Sequence, residues 1–324
     1  GSESESQKAT AVDLELGTRL LAQNPSTPNA SSLLRGGLSY WPPSDEQRTA
    51  DGRIRFNRFD DSVHTGYQTE RFNALINLGR ATTLLIEQDP SQARPIFDVY
   101  LTIASTLLRD YPNVDRFELY HRAFLNQMMK RLVADRHFDV AREWISLFSG
   151  SVPKFNVITN QIKVAVAEDN ASMAGDLYME AFREEDLPID VAGSLGGELV
   201  LFAHAWLEPS ELQEAASVVK DAAEFSNGWE YLYSAYGGLL FRLGKFRESI
   251  EVMTSERIVF GYGEERIFRD PILSMAHHEL GNFDKALQYK RKAIERVSAR
   301  KSKLGPRTAA FFDEFESAVP DENL

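Results

Sequence analysis

The chain has 324 residues, no cysteine and a formal charge of −12, from 36 lysines and arginines against 48 aspartates and glutamates. Disulfides and thiolate metal sites are therefore excluded, and so acidic a chain disfavours a phosphate backbone as its partner. Hydrophobic residues at 43% and charged residues at 26% fit a folded globular composition, and no apolar run reaches the ~18 residues of a membrane span. Lack of cysteine favours a reduced compartment such as the cytoplasm, with an organellar or periplasmic setting left open.

Residues 1–66 form the first region. Val12, Leu14, Leu16, Leu20 and Leu21 predict one helix over Ala9 to Gln23. From Asn24 to about Gly66 the helical period is lost: Pro25, Pro28, Pro42 and Pro43 break it, and Gly36-Gly37 adds freedom. The same stretch holds Leu38, Tyr40, Trp41, Ile54, Phe56 and Phe59, more apolar surface than a disordered linker carries. An extended arm lying on the helices is expected.

Residues 67–300 predict helix after helix with short breaks and no alternating strand. Asp110-Tyr111-Pro112-Asn113 ends one helix. Ser210 and Gln213 are spaced as a capping box, and Asp270 precedes Pro271 as an N-cap precedes a first-turn proline. Gly244 and Gly281 fall where left-handed helix ends are needed. Gly193-Ser-Leu-Gly-Gly197 lacks a P-loop lysine and is expected to be a loop before a helix. Residues 301–324 predict a closing helix over Thr308 to Ala318, with Phe311, Phe312 and Phe315 covering the end of the stack.

Self-similarity is the strongest signal. The segment from Tyr233 to Ile250 aligns with that from Asp270 to Leu287, 37 residues on. Both contain Leu-Gly-x-Phe and a small residue three places after the Phe, Ser249 and Ala286. Tyr233, Tyr236 and Leu240 give the first leg one apolar stripe. Weaker copies carry the small residue at Ala93, Ala141, Ala174 and Ala215, with steps of 48, 33, 41, 34 and 37 residues between successive markers. This pattern resembles the tetratricopeptide repeat, a helix-turn-helix unit of about 34 residues. The resemblance implies an all-α fold: an α-solenoid, a right-handed superhelix of about six such units, with an N-terminal arm and a C-terminal capping helix.

It also implies a concave face lined by first-leg positions, which correspond to Asn126, Lys130, Lys163, His204, Phe241, Arg242, Met275 and His278. Lys130 and Lys163 fall at equivalent positions 33 residues apart and suit an acidic peptide segment or carboxylate terminus. Phe241 and Met275 are expected as apolar anchors. Ser234, Gly238, Pro271 and Met275 stand where chaperone-binding members carry a lysine- and asparagine-rich clamp, which argues against that partner.

No catalytic motif is found. The six histidines form no H-x-x-x-H, and the adjacent His277 and His278 point about 100° apart on a helix. The expected function is a non-catalytic protein-interaction scaffold, or a subunit of a larger assembly, with no cofactor. One stretch, Pro153 to Asn160 with Ala174 and Tyr178, resembles a pentatricopeptide unit and leaves RNA binding as an alternative, against which the charge weighs. An enzyme with an unrecognised site is a further alternative.

Overall fold

The computed structural model describes residues 89–112, 114–226, 228–255, 266–298 and 306–320, and eight helical residues between Phe72 and Ile86. The expected N-terminal helix and the arm with Tyr40, Trp41 and Phe56 lie outside these residues. The described residues are all-helical, with twelve α-helices, one 3-10 turn and no strand. They divide into two compact units, Gly1–Glu168 and Asp169–Leu324.

The first unit contains α1 (Pro90–Asp110), α2 (Asp115–Ala134), α3 (Phe138–Phe148) and α4 (Lys154–Ala167). Asp89 starts α1 by accepting the Ser91 N–H at 2.9 Å, with Pro90 at the first helical position, where a missing N–H costs nothing. Helix α2 packs against α1, α3 and α4. Aromatic rings fill the space between them: Phe97 stacks on Trp144 at 4.4 Å, and Tyr100 meets Phe124 at 4.2 Å.

The second unit contains α5 (Ala171–Phe182), α6 (Ile189–Leu201), the 3-10 turn (Ala203–Trp206), α7 (Pro209–Phe225), α8 (Glu230–Arg242), α9 (Phe246–Met253), α10 (Arg266–Glu279), α11 (Phe283–Ser298) and α12 (Pro306–Ala318). Successive helices from α6 to α11 pack against one another, and α8 also touches α6 and α10. Gly238 makes that side-by-side contact possible. A Cβ there would stand 2.6 Å from Val200 Cγ2 of α6 and 3.1 Å from Ile272 Cδ1 of α10.

Four helix-to-helix turns share a left-handed residue. Arg136, Asp169, Gly244 and Gly281 all have positive φ, at 62°, 54°, 73° and 72°. In each case the small residue of the next helix, Ala141, Ala174, Ser249 or Ala286, comes five positions later and is buried. In three of them the N–H after the left-handed residue closes the turn onto a carbonyl five positions back: His137 to Leu132, Lys245 to Leu240 and Asn282 to His277, at 2.8 to 2.9 Å. Glycine serves this turn without strain, which is why two of the four are visible in the sequence; Arg136 and Asp169 adopt it against their own preference.

The two best-matched hairpins are linked at the same pair of positions but with the donor exchanged. In α8–α9 the Ser249 hydroxyl donates to the Gly237 carbonyl at 2.7 Å. In α10–α11, 37 residues on, Ser274 donates to the Ala286 carbonyl at 2.7 Å. Both hydroxyls are buried, so each bond also spares the desolvation of a polar group. Ser249→Ala is expected to lower stability by about 1 kcal/mol, readable as a shift in thermal midpoint; no shift would show that the bond is not formed in solution.

Several local expectations are corrected. The capping box at α7 uses Glu208 and Glu211, not Ser210 and Gln213: Pro209 occupies the first helical position, and the Glu208 N–H donates to the Glu211 carboxylate at 3.0 Å. Asp270 and Pro271 lie inside α10, where the buried Asp270 carboxylate is taken by Arg296 of α11 instead of capping a helix end. Gly193 to Gly197 are within α6, not a loop. A Cβ at Gly193 or Gly196 would stand 2.7 Å from Leu232 or 2.9 Å from Val219, so these glycines admit α8 and α7. The long steps between repeat markers have two sources. Helices α1 and α2 run to 21 and 20 residues, and the 3-10 turn is inserted between α6 and α7.

Candidate functional site

The eight residues expected on a partner-binding face separate into a surface group in the first unit and a largely occupied group in the second. In the first unit, Asn126 and Lys130 are exposed one turn apart on α2. Lys163 of the neighbouring α4 is half-buried, and its ammonium donates to the Asn126 side-chain oxygen and, at 3.0 Å, to that of Asn160. Asn160 is buried and its own amide donates to the Asn156 carbonyl at 2.8 Å, so the bracket is fixed from below. The side chains hold a cation at a defined place on adjacent legs, and a second cation, Lys130, stands one turn from Asn126.

In the second unit the chain itself uses most of the expected positions. Arg242 on α8 donates from Nε to the Val200 carbonyl at 2.9 Å and pairs through its other nitrogens with Glu314 of α12, one of them at 2.7 Å. Its guanidinium lies 5.8 Å from the Phe311 ring and its side chain is 6% exposed. Phe311, Phe312 and Phe315 are buried, as a covering helix requires, but α12 packs across α10 and reaches α6, where Arg307 lies 4.3 Å over the Phe202 ring. The Lys290 ammonium donates to the Val319 carbonyl at its far end. Met275 is 2% exposed and belongs to the interior of α10, because it stands on the side that faces neighbouring helices; it offers no surface anchor. Phe241 is half-buried against Phe246 at 5.5 Å, and His278 is half-buried against Phe283 at 5.4 Å.

His204, in the 3-10 turn, accepts or donates through Nδ1 at the Leu199 carbonyl, 3.2 Å away. Burial and the Arg242 charge hold its imidazole below the ordinary value, against the opposing pull of Glu314. Glu314 is pushed up by burial, yet the Arg242 hydrogen bond and charge outweigh this and bring its carboxyl below the usual range. Arg242→Met is expected to cost about 2 kcal/mol and to speed hydrogen exchange through 306–318, because charged hydrogen bonds anchor α12 there. Unchanged exchange in that helix would mean its phenylalanines alone hold it.

A third constellation was not anticipated from sequence. His121 on α2 is fully buried, with Tyr100 Oη 3.1 Å from Nδ1 and Ser151 Oγ 3.1 Å from Nε2. Ser151 also donates to the Phe148 carbonyl at 2.8 Å. A carbonyl only accepts, so the serine proton is committed there and Nε2 must donate to Ser151. Nδ1 is then the acceptor for the Tyr100 hydroxyl. The chain Tyr100 to His121 to Ser151 to Phe148 is complete, and its direction is the reverse of a histidine acting as base on a serine. Burial pushes the His121 pKa down to about 4. No periodicity marks this chain, since its members are contributed by three separate segments.

Another feature not anticipated lies between α7 and α9, where a solvent-open cleft of about 460 Å³ is floored by Tyr233, Tyr236 and Leu240 of α8. Those three residues are the apolar stripe visible in the repeat.

Among the described residues no three His, Asp or Glu side chains converge to hold a metal ion, and no helix is long and apolar enough to cross a membrane. No protein-family model matches the chain, and no curated protein is similar enough to it to serve as a relative.

Proposed function

We propose that this chain is a protein-interaction module of tetratricopeptide-like hairpins, arranged as a right-handed solenoid, that binds an acidic segment of a partner on the first legs of its hairpins. The observation that carries the reading is the bracket in the first unit. Asn126 and Asn160, on adjacent legs, orient the Lys163 ammonium, and Lys130 stands exposed one turn from Asn126. Oriented cations on an otherwise acidic chain select carboxylates by contrast with their surroundings. The three turns closed by the same hydrogen bond support a repeated build, and α12 is an example within the chain of a helix held against such legs by aromatic anchors and one charged pair.

The test is affinity capture followed by direct binding of each captured protein to wild type and to Lys130→Glu/Lys163→Glu. A partner that loses tenfold or more in affinity with the double variant supports the reading. Partners that bind both forms equally overturn the first-leg face as the site. Salt-sensitive retention of RNA, with no protein partner, would favour the pentatricopeptide alternative.

A further inference from the structure

The cleft over α8 carries chemistry opposite to that of the lysine face. Helices α7 and α9 form its walls, and its floor is aromatic and aliphatic: Tyr233, Tyr236 and Leu240. Its polar rim is made of Glu224, Glu248 and Glu251, all exposed, against the single cation Lys220, which sits 3.8 Å from Glu224. Two exposed aromatic residues stand next to lining residues in sequence. Trp229, one helical turn before Tyr233, is 56% exposed, and Phe225 at the end of α7 is 78% exposed. Two large aromatic side chains left in water, one residue after Glu224 and one turn before Tyr233, are unlike an ordinary solvated face.

The pieces specify what fits. Of the three floor residues only Tyr236 is more than marginally exposed; an aromatic ring attracts a cation, and the rim carboxylates add charge of the same sign. Burial, with the nearby carboxylates of Glu248, Glu224 and Asp221, raises the Tyr236 phenol above its ordinary value, so the ring stays neutral and faces a negative field. An anion is repelled from such a place, and a purely apolar side chain would strand the carboxylates. A guanidinium satisfies both: its plane lies on an aromatic ring and its edge donates to carboxylates, while the aliphatic stem lies along the half-buried Val252.

We propose that the cleft between α7 and α9 receives an arginine-bearing basic segment of a partner protein, with the guanidinium over Tyr236 and the Glu224, Glu248 and Glu251 carboxylates around it. The cleft is built from the second unit and Lys130 and Lys163 from the first, and the two require partner segments of opposite charge.

The test uses the full chain and a fluorescein-labelled tetra-arginine amide as probe, read by fluorescence anisotropy at low salt, with methyl chemical shifts of Leu240 and Val252 locating the site. Wild type is expected to bind with saturation and with shifts concentrated at those methyls. Glu224→Gln/Glu248→Gln/Glu251→Gln should weaken binding tenfold or more. A control of equal charge change, Glu185→Gln/Asp186→Asn/Asp190→Asn, should stay within threefold, which separates the cleft from general attraction to an acidic chain. Tyr236→Phe should keep the affinity and Tyr236→Ala should lose two- to fivefold, since the ring and not the hydroxyl is used. Lys130→Glu/Lys163→Glu should leave the affinity within threefold, so that failure of the acidic-partner reading and failure of this one are distinguishable. Equal weakening by the two carboxylate sets, or shifts spread over the surface, overturns the proposal. Binding seen only after residues 256–265 are replaced by a Gly-Ser linker overturns it too, and gives the cleft to the chain's own segment.

Discussion

Between pH 7 and pH 4 the first unit is expected to lose about 3 kcal/mol of stability through His121 alone. The imidazole has an ordinary pKa of 6.5 in the unfolded chain and about 4 in the folded protein, where burial disfavours its cation. Between those values the unfolded state binds the additional proton, so stability falls as the pH falls from about 6.5 and levels off below about 4. Each tenfold change in the proton equilibrium is worth about 1.4 kcal/mol, which gives the total. The hydrogen-bond directions agree with this sign. Nδ1 accepts from Tyr100 in the neutral state, and protonation would place a second donor against that hydroxyl at a site buried from solvent. His121→Gln removes the titration while keeping one donor and one acceptor in the pocket. Urea unfolding followed by Trp144 fluorescence, with the other three tryptophans replaced by phenylalanine, should show a steep pH dependence in the His121 protein and a shallow one in the variant. Parallel slopes would mean that His121 is solvated or charged in the folded protein.

Trp144→Ala is expected to cost about 3 to 5 kcal/mol, comparable to much of a domain's stability. The indole is 1% exposed and lies nearly parallel to Phe97, with an interplanar angle of 10°. It joins α3 to α1 within a buried cluster that also holds Ala93 and Ala141. Truncation removes the stacking partner of Phe97 and leaves a void that backbone relaxation fills only in part. Trp144→Phe should recover most of the loss, because it keeps an aromatic face at the same position. Urea unfolding measures both; a loss under 1 kcal/mol for the alanine variant would show that the site collapses or is hydrated.

Much of the helical layout was legible because helix ends and small residues leave local marks. Gly244 and Gly281 identify the left-handed turns, and Ser249 and Ala286 the close contact of the legs. Arg136 and Asp169 make the same turn invisibly, since their residue types give no sign of positive φ. The site was legible only in outline. Periodicity says which residues share a face of a helix, not what lies against that face. Arg242 sits on its expected leg, yet it is spent on Glu314, because nothing in the sequence of α12 tells where that helix will dock. Met275 was misplaced for the same reason, and Gly193 to Gly197 show a glycine cluster serving helix contact where a loop was expected. The His121 chain and the acid-rimmed cleft depend on residues brought together from different helices, which a single sequence does not reveal.

The exchanged serine has a consequence for how these hairpins can change over time. A hairpin can pass from one arrangement to the other only by two substitutions, and their order matters. Losing Ser249 first passes through a form with no cross-link between the legs; gaining a serine at position 237 first would keep the bond throughout. That second route is obstructed, because a Cβ at Gly237 would stand 2.5 Å from Met253 Cγ. The residue matching Met253 in the next hairpin is Lys290, whose ammonium reaches away to Val319. The choice of donor is therefore tied to a third position, and the two hairpins are not interchangeable parts. A copy of α8–α9 placed at the α10–α11 position would arrive without the lysine that holds the end of α12, so duplication or shuffling of these units carries a built-in epistatic barrier at the C-terminal end.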